Sequence, residues 1–400
     1  MSLQVIVPRI RGFICLNAHP DGCATNVQAQ VDLMSRGAPG RGMNDALVIG
    51  SSTGYGLSSL LATVFGYGAR AVGVCLERPA QGEKSASAGW YNMAVAGRLA
   101  RTAGRSITAI NGDAYSDEIK QQTIKLLQER KAKLDCVVYS LASPKRVDPS
   151  TGVGYMSVLK PLGEVYRNKT INLMNDQLTT VELTPATEAD IEATRKVMGG
   201  EDWELWMRAL IDAGVVAKGC RTVAYSYVGP VLTYPIYRSG TIGKAKEHLE
   251  ETALSLDRTM REQFGGGAYV SVNKALVTQA SAAIPVVPLY ISILYKVMKA
   301  KGKHEGTAAQ ILRLFETHLG PGRTPVLDAA GRIRVDDWEM DPDVQKATEA
   351  LWDQVTSENL LTLTDYAGFK QEFRSLFGFE IPGIDYAQPV ETNLSLNGDG

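Results

Sequence analysis

The chain has 400 residues, 44% of them hydrophobic and 21% charged, with 42 Lys and Arg against 43 Asp and Glu for a formal net charge of −1. That length buries a large core and admits two or three domains, while the near-neutral balance argues against nucleic acid or an anionic membrane surface as a partner. Five scattered cysteines (Cys15, Cys23, Cys75, Cys136 and Cys220), with no Cys-x2-Cys pair, read as free thiols of a reducing, cytoplasmic compartment and not as a disulfide frame or zinc site.

Residues 1–11 carry Pro8, Arg9 and Arg11 and have the character of a strand, not of a signal peptide. Segments 3–8 and 12–16 read as two short strands, a hairpin ahead of the main fold. Asn17-Ala-His-Pro-Asp-Gly-Cys23 reads as a turn. His19 and Cys23 stand four apart, but no other ligand cluster joins them, so a rim or surface turn is expected and no metal. A helix over 25–35 and a Gly/Pro-rich linker over 37–42 follow.

The stretch Ala46-Leu-Val-Ile-Gly-Ser-Ser-Thr-Gly-Tyr-Gly-Leu57 comes next. A short apolar run ends in Gly50, Gly54 and Gly56, and apolar residues at helical spacing continue to Phe65. Strand, Gly-rich turn and helix form the geometry that aims backbone N–H groups at a pyrophosphate. The spacing is Gly-x3-Gly-x-Gly, not the usual Gly-x-Gly-x2-Gly of dinucleotide folds. A second strand over 71–76 ends at Glu77, 21 residues beyond Gly56. An acid there bonds a ribose 2′-OH and repels a 2′-phosphate. Arg78 beside it pulls the other way, and NADH over NADPH is the expectation.

A third strand over 106–113 ends in Asp113-Ala114, with Asp113 either an adenine contact or a turn aspartate, and Ser116 caps the next helix. Strand four, 134–144, ends in small residues that let the backbone approach a cofactor. Four strands alternating with helices give an α/β, doubly wound, Rossmann-like parallel sheet. Residues 145–184 are polar and irregular, an insertion of loops or a small hairpin over the site. Segment 185–214 is helical, with Trp203 and Trp206 read as core. Strand five spans 221–228, a helix starts near Thr241, and strand six spans 268–278. The remainder to about 379 is mostly helical, and 393–400 is a frayed tail. The whole is expected to be one Rossmann-like domain over 1–400: an N-terminal strand pair and helix (1–45), a dinucleotide-binding core (46–280) with the insertion 145–220, a helical substrate-covering region (281–390) and a tail (391–400). The most apolar segment, 282–295, is interrupted by Pro285 and Pro288 and is too short to span a bilayer, which takes about 20 residues.

Gly50-x3-Gly54-x-Gly56 with Glu77, Asp113-Ala114 and Tyr139-Ser-Leu-Ala-Ser-Pro144 resembles the short-chain dehydrogenase/reductase superfamily. Arg11-Gly-Phe-Ile-Cys15, Ser52-Thr-Gly-Tyr-Gly56, Ala88-Gly-Trp-Tyr-Asn92, Asn111-Gly-Asp-Ala114 and Val197-Met-Gly-Gly-Glu-Asp-Trp203 narrow the likeness. With Thr278-Gln-Ala-Ser-Ala-Ala-Ile-Pro285 and His304-Glu-Gly306, the chain is similar to the bacterial NADH-dependent trans-2-enoyl-CoA/enoyl-acyl-carrier-protein reductases from about residue 3 to 390. The resemblance implies reduction of the C=C bond of enoyl thioesters in fatty acid synthesis, with an enoyl-CoA or enoyl-acyl carrier protein as substrate partner and a monomer or weak homodimer. It implies that Tyr237-x8-Lys246 carries the chemistry, and with an acyl substrate the apolar 282–295 segment is expected to wall the acyl channel. It places cofactor contacts on Gly50, Ser51, Ser52, Thr53, Gly54, Tyr55, Leu76, Glu77, Asp113, Ala114, Leu141, Ala142, Lys246, Ala275, Leu276 and Val277, and a substrate contact on Tyr227.

The chemistry needs a hydride at Cβ, a place for negative charge on the thioester oxygen, and a proton at Cα. A tyrosine O–H supplies the electrostatic part, and a nearby ammonium, Lys246, is expected to lower its pKa. Nine steps along one helix would set the pair on opposite faces; Ser239-Gly240 breaks the helix and lets them converge. Two rival readings are a carbonyl or 3-hydroxyacyl dehydrogenase on the same fold, opposed by Tyr227 where a serine is usual, and a non-catalytic NADH sensor, opposed by the intact Tyr237 and Lys246. Tyr295 and Lys299 form the ordinary Tyr-x3-Lys signature, but they follow strand six, and a core role is expected for Tyr295.

Overall fold

The computed structural model describes residues 3–37 and 42–398. Positions 38–41 of the Gly/Pro-rich linker, and the last two residues of the tail, lie outside the described residues.

Seven parallel strands make the central sheet: β1 (Asp45–Ile49), β2 (Arg70–Cys75), β3 (Ile107–Asn111), β4 (Leu134–Tyr139), β5 (Val216–Ser226), β6 (Gly267–Val272) and β7 (Ile333–Arg334). Their spatial order is β7-β6-β5-β4-β1-β2-β3. The reversal of direction between β1 and β4 is the switch point at which open α/β sheets bind ligands, beyond the strands' carboxyl ends. Strand β1 is buried along its whole length. Ala46 and Val48 pack on one face with the Pro20–Gly37, Gly54–Leu61 and Thr307–Leu314 helices, and Leu47 and Ile49 on the other with the Asp117–Glu129, Glu201–Asp212 and Thr241–Phe264 helices. Two covered faces explain the unbroken apolar run. Trp203 and Trp206 are fully buried in the second face, as read.

The turn after β1 is tight. Gly50 has φ +85°, and a Cβ there would stand 2.2 Å from the Ser140 carbonyl oxygen; a Cβ on Gly56 would stand 1.8 Å from that of Gly50. These glycines let β1, the turn and the Gly54–Leu61 helix close on one another.

Several expectations need correction. Leu3–Gln4 does not pair with 12–16 but runs antiparallel to Val390–Glu391, and the hairpin is the short Ile10–Arg11 with Ile14–Cys15. Pro8, without an N–H, cannot continue a ladder. The 17–23 turn is shorter than read: a helix spans Pro20–Gly37, with Pro20 at its first position and Asp21 in its first turn, both favourable at a helix start. His19 is fully buried, its ring edge-on to Tyr386 at 4.8 Å, and is not a rim residue. The 145–184 insertion holds two antiparallel ribbons, Lys145–Val147 with Gly154–Met156 and Tyr166–Asn172 with Gln177–Leu183. Gly199 and Gly200 split the 185–214 helix into Glu188–Met198 and Glu201–Asp212.

Strands three, four and six stop short of their expected ends, at Asn111, Tyr139 and Val272, where loops replace the ladder. Strand five spans Val216–Ser226, starting before and ending short of 221–228, and 273–278 folds across the sheet's edge as irregular backbone. The C-terminal region is not purely helical, since β7 extends the main sheet. The tail is docked and not frayed: the Trp90 indole donates to Leu394 O (2.7 Å), and the Asn397 amide exchanges hydrogen bonds with both backbone groups of Ala109 on β3. Among the described residues no helix is long and apolar enough to cross a membrane.

Candidate active site

A cavity of about 550 Å³ opens at the carboxyl edge of the sheet, within the usual range for small-molecule sites. The turn after β1 supplies Gly50, Ser52, Thr53, Gly54 and Tyr55; the ends of β2 to β4 supply Leu76, Glu77, Asp113, Ala114, Leu141 and Ala142. Tyr227, Tyr237, Lys246, Ala275 and Leu276 line the other half. Ser51 and Val277 stand behind the wall. The Ser51 hydroxyl donates to Val74 O (3.1 Å), and the Val277 N–H donates to the Tyr295 hydroxyl (3.1 Å). Cavity residues that motif reading missed include Asn26 and Gln30 on the Pro20–Gly37 helix, Ser226, Asn273, and Leu376. None sits in a glycine motif, and only the folded geometry collects them.

The cavity suits a dinucleotide. Thr53 precedes the Gly54–Leu61 helix without a side-chain cap, and the first backbone bond of that helix is from Leu57 N to Thr53 O (3.1 Å). Among the described residues the amides of Gly54, Tyr55 and Gly56 have no partner, and at a positive helix end they are a ready seat for a pyrophosphate. Glu77 is half-buried, and it accepts the hydroxyls of Ser52 (2.6 Å) and Ser87. Asp113 accepts the Tyr115 N–H (3.0 Å), so it makes a turn contact while still facing the cavity. Two buried polar atoms on the cavity wall, Ser226 Oγ and Asn273 Nδ2, have no partner in the chain among the described residues; a bound polar ligand satisfies such groups.

At the far end Tyr237 sits in the turns after the short Val231–Thr233 helical turn, its backbone N–H donating to Thr233 O (3.0 Å). Lys246 lies in the second turn of the Thr241–Phe264 helix and donates to Tyr225 O (3.1 Å) at the end of β5. The break at 239–240 does bring both to one cavity. The expected lowering of the Tyr237 pKa by Lys246 is not found. Burial pushes Tyr237 up to about 12 with no contribution from the ammonium, and burial pushes Lys246 down to about 8. The Tyr237 hydroxyl has no hydrogen-bond partner among the described residues, whereas Tyr227, edge-on to it at 5.0 Å, donates to Glu339 Oε1 (2.9 Å).

Ile284, Val287 and Ile291 line the cavity from the segment read as an acyl wall. Tyr295 is fully buried and does not line it.

Three family models match the chain: the NAD(P)H-binding domain of trans-2-enoyl-CoA reductase over 5–82, the trans-2-enoyl-CoA reductase catalytic region over 84–319, and an enoyl reductase FAD-binding domain over 327–390. A flavin does not fit the last segment. It gives one side chain, Leu376, to the large cavity, and the small cavity beside Leu327, Ala330, Gly331 and Arg332 holds about 40 Å³. Its apolar residues Trp352, Tyr366, Phe369 and Phe373 are spent on the core with Tyr290 and Tyr295.

The NADH-dependent enoyl-acyl-carrier-protein reductases of Opitutus terrae and Cytophaga hutchinsonii are each 50% identical to the chain, over 98% and 99% of it and 100% of each relative. The crystal structure of Treponema denticola trans-2-enoyl-CoA reductase in complex with NAD is 46% identical with a TM-score of 0.92, covering 98% of this chain and 99% of that one. With the catalytic-region model matching over half of its length, the chain belongs to the trans-2-enoyl-CoA reductase family.

Proposed function

We propose that this protein reduces the C=C bond of trans-2-enoyl thioesters with NADH, and that Tyr237 is the hydrogen-bond donor to the thioester oxygen. The observation that carries the assignment is the uncommitted Tyr237 hydroxyl in the cavity, beside a Tyr227 hydroxyl already engaged by Glu339. Bound NADH supplies the hydride to Cβ. Negative charge then gathers on the thioester oxygen, and a preorganised O–H aimed there stabilises it more than it stabilises the neutral substrate. Burial keeps Tyr237 protonated at neutral pH, which suits a donor.

Lys246, held at the end of β5 by Tyr225 O, binds the nicotinamide ribose in this reading. The Gly50–Tyr55 turn takes the pyrophosphate, Glu77 the adenine ribose, Leu76, Asp113 and Ala114 the adenine, and Leu141, Ala142, Ala275 and Leu276 the nicotinamide half. Ser51 and Val277 support that wall from behind. Tyr227 contacts the acyl thioester. The substrate is an enoyl-CoA or the same acyl group on acyl carrier protein, used by a monomer or weak homodimer in fatty acid synthesis. All five cysteines are free thiols, which supports a cytoplasmic setting. The chain works as one Rossmann-like unit, a reading supported by β7 and the docked tail, which tie 327–398 to the sheet.

The test is NADH oxidation with crotonyl-CoA, with acetoacetyl-CoA, and with crotonyl groups on acyl carrier protein. Turnover of the enoyl thioesters alone is expected. Turnover of acetoacetyl-CoA alone would mark a hydroxyacyl dehydrogenase instead.

A further inference from the structure

Glu339 stands about a hundred residues from both site tyrosines, in the turn between β7 and the Pro342–Gln354 helix. Because β7 runs parallel to β6, the chain leaves it at the same carboxyl edge where the cavity opens. The side chain is fully buried. Its Oε1 accepts the hydroxyls of Tyr227 (2.9 Å) and Tyr290 (2.6 Å), and its Oε2 accepts the backbone N–H of Ala275 (2.6 Å).

No Lys or Arg forms an ion pair with it among the described residues; the ammonium of neighbouring Lys274 is turned to Ala275 O (3.1 Å) and Glu305 O (3.3 Å). A buried carboxyl without a cation is costly and is retained where its hydrogen bonds are complete. The group is also braced from behind. Gln345 Nε2 donates to Glu339 O (2.7 Å) and to the Tyr290 hydroxyl (3.2 Å). Two of the three donors on this carboxyl come from different elements that line the cavity, Tyr227 from the end of β5 and Ala275 from the loop after β6.

We propose that Glu339 is a positioning residue whose one carboxyl group fastens the Tyr227 hydroxyl and the 273–278 backbone to a common point, so that the acyl-side tyrosine and the cofactor-side loop keep a fixed relation. The proposal rests on the reading of the cavity as an enoyl-thioester reductase site. It gives the 327–390 segment a part in the reaction through a side chain of its own.

The experiment is a double-mutant cycle in the full chain with E339Q, Y227F and the double variant. It reads kcat with crotonyl-CoA and the Kd for NADH by fluorescence titration. An amide cannot accept on both sides: whichever way it turns, its NH2 meets either the Ala275 N–H or the phenols. E339Q is expected to lower kcat by about tenfold and to weaken NADH by several-fold, the scale of one lost charged hydrogen bond. In the Y227F background the kcat loss should shrink below about twofold while the NADH loss persists, because only the first runs through Tyr227. Unchanged kcat and Kd in E339Q, or kcat losses that multiply in full, would overturn the proposal. Should E339Q lack a cooperative thermal transition, E339D goes through the same cycle. Hydrogen exchange at Ala275 in the unmodified chain needs no variant: a protected amide is expected, and rapid exchange there overturns it. Absence of any crotonyl-CoA turnover by the unmodified chain would instead sink the reading of the site.

Discussion

Tyr237 and Tyr227 meet edge to face, yet one hydroxyl is free in the cavity and the other is bound to a buried carboxyl. Removing the free one removes, of these two phenols, the one that can donate without first breaking a bond in the chain. Tyr237→Phe should therefore keep the fold and the NADH affinity but lower kcat about a hundredfold or more, the usual scale for one lost oxyanion donor; near-normal turnover would reassign the donor. Tyr295→Phe should behave differently, although Tyr295 belongs to the Tyr-x3-Lys pair that a motif scan selects. Its hydroxyl accepts the buried Val277 N–H, and stranding that group costs about 1–3 kcal/mol. A lower thermal midpoint is expected with kcat largely kept. Glu77 offers a third residue-level test. A carboxylate facing a 2′-phosphate costs roughly 1–3 kcal/mol at close range, so Glu77→Ala should raise the ratio of kcat/KM for NADPH over NADH by about tenfold or more. No change in that ratio would leave Glu77 as no more than the partner of Ser52 and Ser87.

The Val287–Ala300 helix turns one flank to the cavity, through Val287 and Ile291, and the rest into a core with Phe369 and Phe373. A larger side chain on the cavity flank shortens the acyl channel. Ile291→Trp should lower kcat/KM for long enoyl chains more than for crotonyl-CoA, and equal losses at all lengths would make the residue plain core. Pro285 and Pro288 flag the break before this helix in the sequence; the backbone breaks at Val286, which takes φ +74°. The first four strands were legible because each is a short apolar run ended by Gly or a polar turn, and two buried faces demand that run. Strand six misled for the same reason. Ala275-Leu-Val277 prolongs its apolar run, but those side chains are buried in the C-terminal core, not in the sheet. β7 was invisible, being two residues set among Arg332, Arg334 and Asp336. Glu339 was invisible with it, since Asp336-Asp-Trp-Glu339 reads as a solvated turn until β7 delivers it to the sheet's edge. The Gly-rich turn, Tyr237 and Lys246 were legible; the buried hydrogen bonds that separate Tyr237 from Tyr227 were not, because they join residues over a hundred positions apart.

Across the whole molecule, distant ends of the chain are laced together, Leu3–Gln4 with Val390–Glu391 and the tail with β3, while the His304 loop folds back locally on the Val287–Ala300 helix. That lacing buries ionisable groups whose protonation then enters global stability. All four histidines, His19, His248, His304 and His318, are held below their ordinary range, chiefly by burial. His304 is moved furthest. Burial, then the Lys274 and Lys299 ammonium groups, push it down to about 4, and its ring stands edge-on to Tyr295 at 4.3 Å. Below its ordinary pKa of about 6.5 the unfolded chain takes up a proton that the native site refuses until about pH 4, so stability falls as pH drops through that window. The buried acids Asp202, Glu339 and Glu372 are shifted upward and act with the opposite sign, since the native state holds their protons more tightly. Comparison with a His304→Gln variant cancels those groups and the other three histidines, which both proteins share. The unmodified protein's thermal midpoint should fall more steeply than the variant's between pH 6.5 and 4, with the two lines parallel above pH 7. Parallel lines throughout would mean that His304 takes up its proton equally well in the native and unfolded chains.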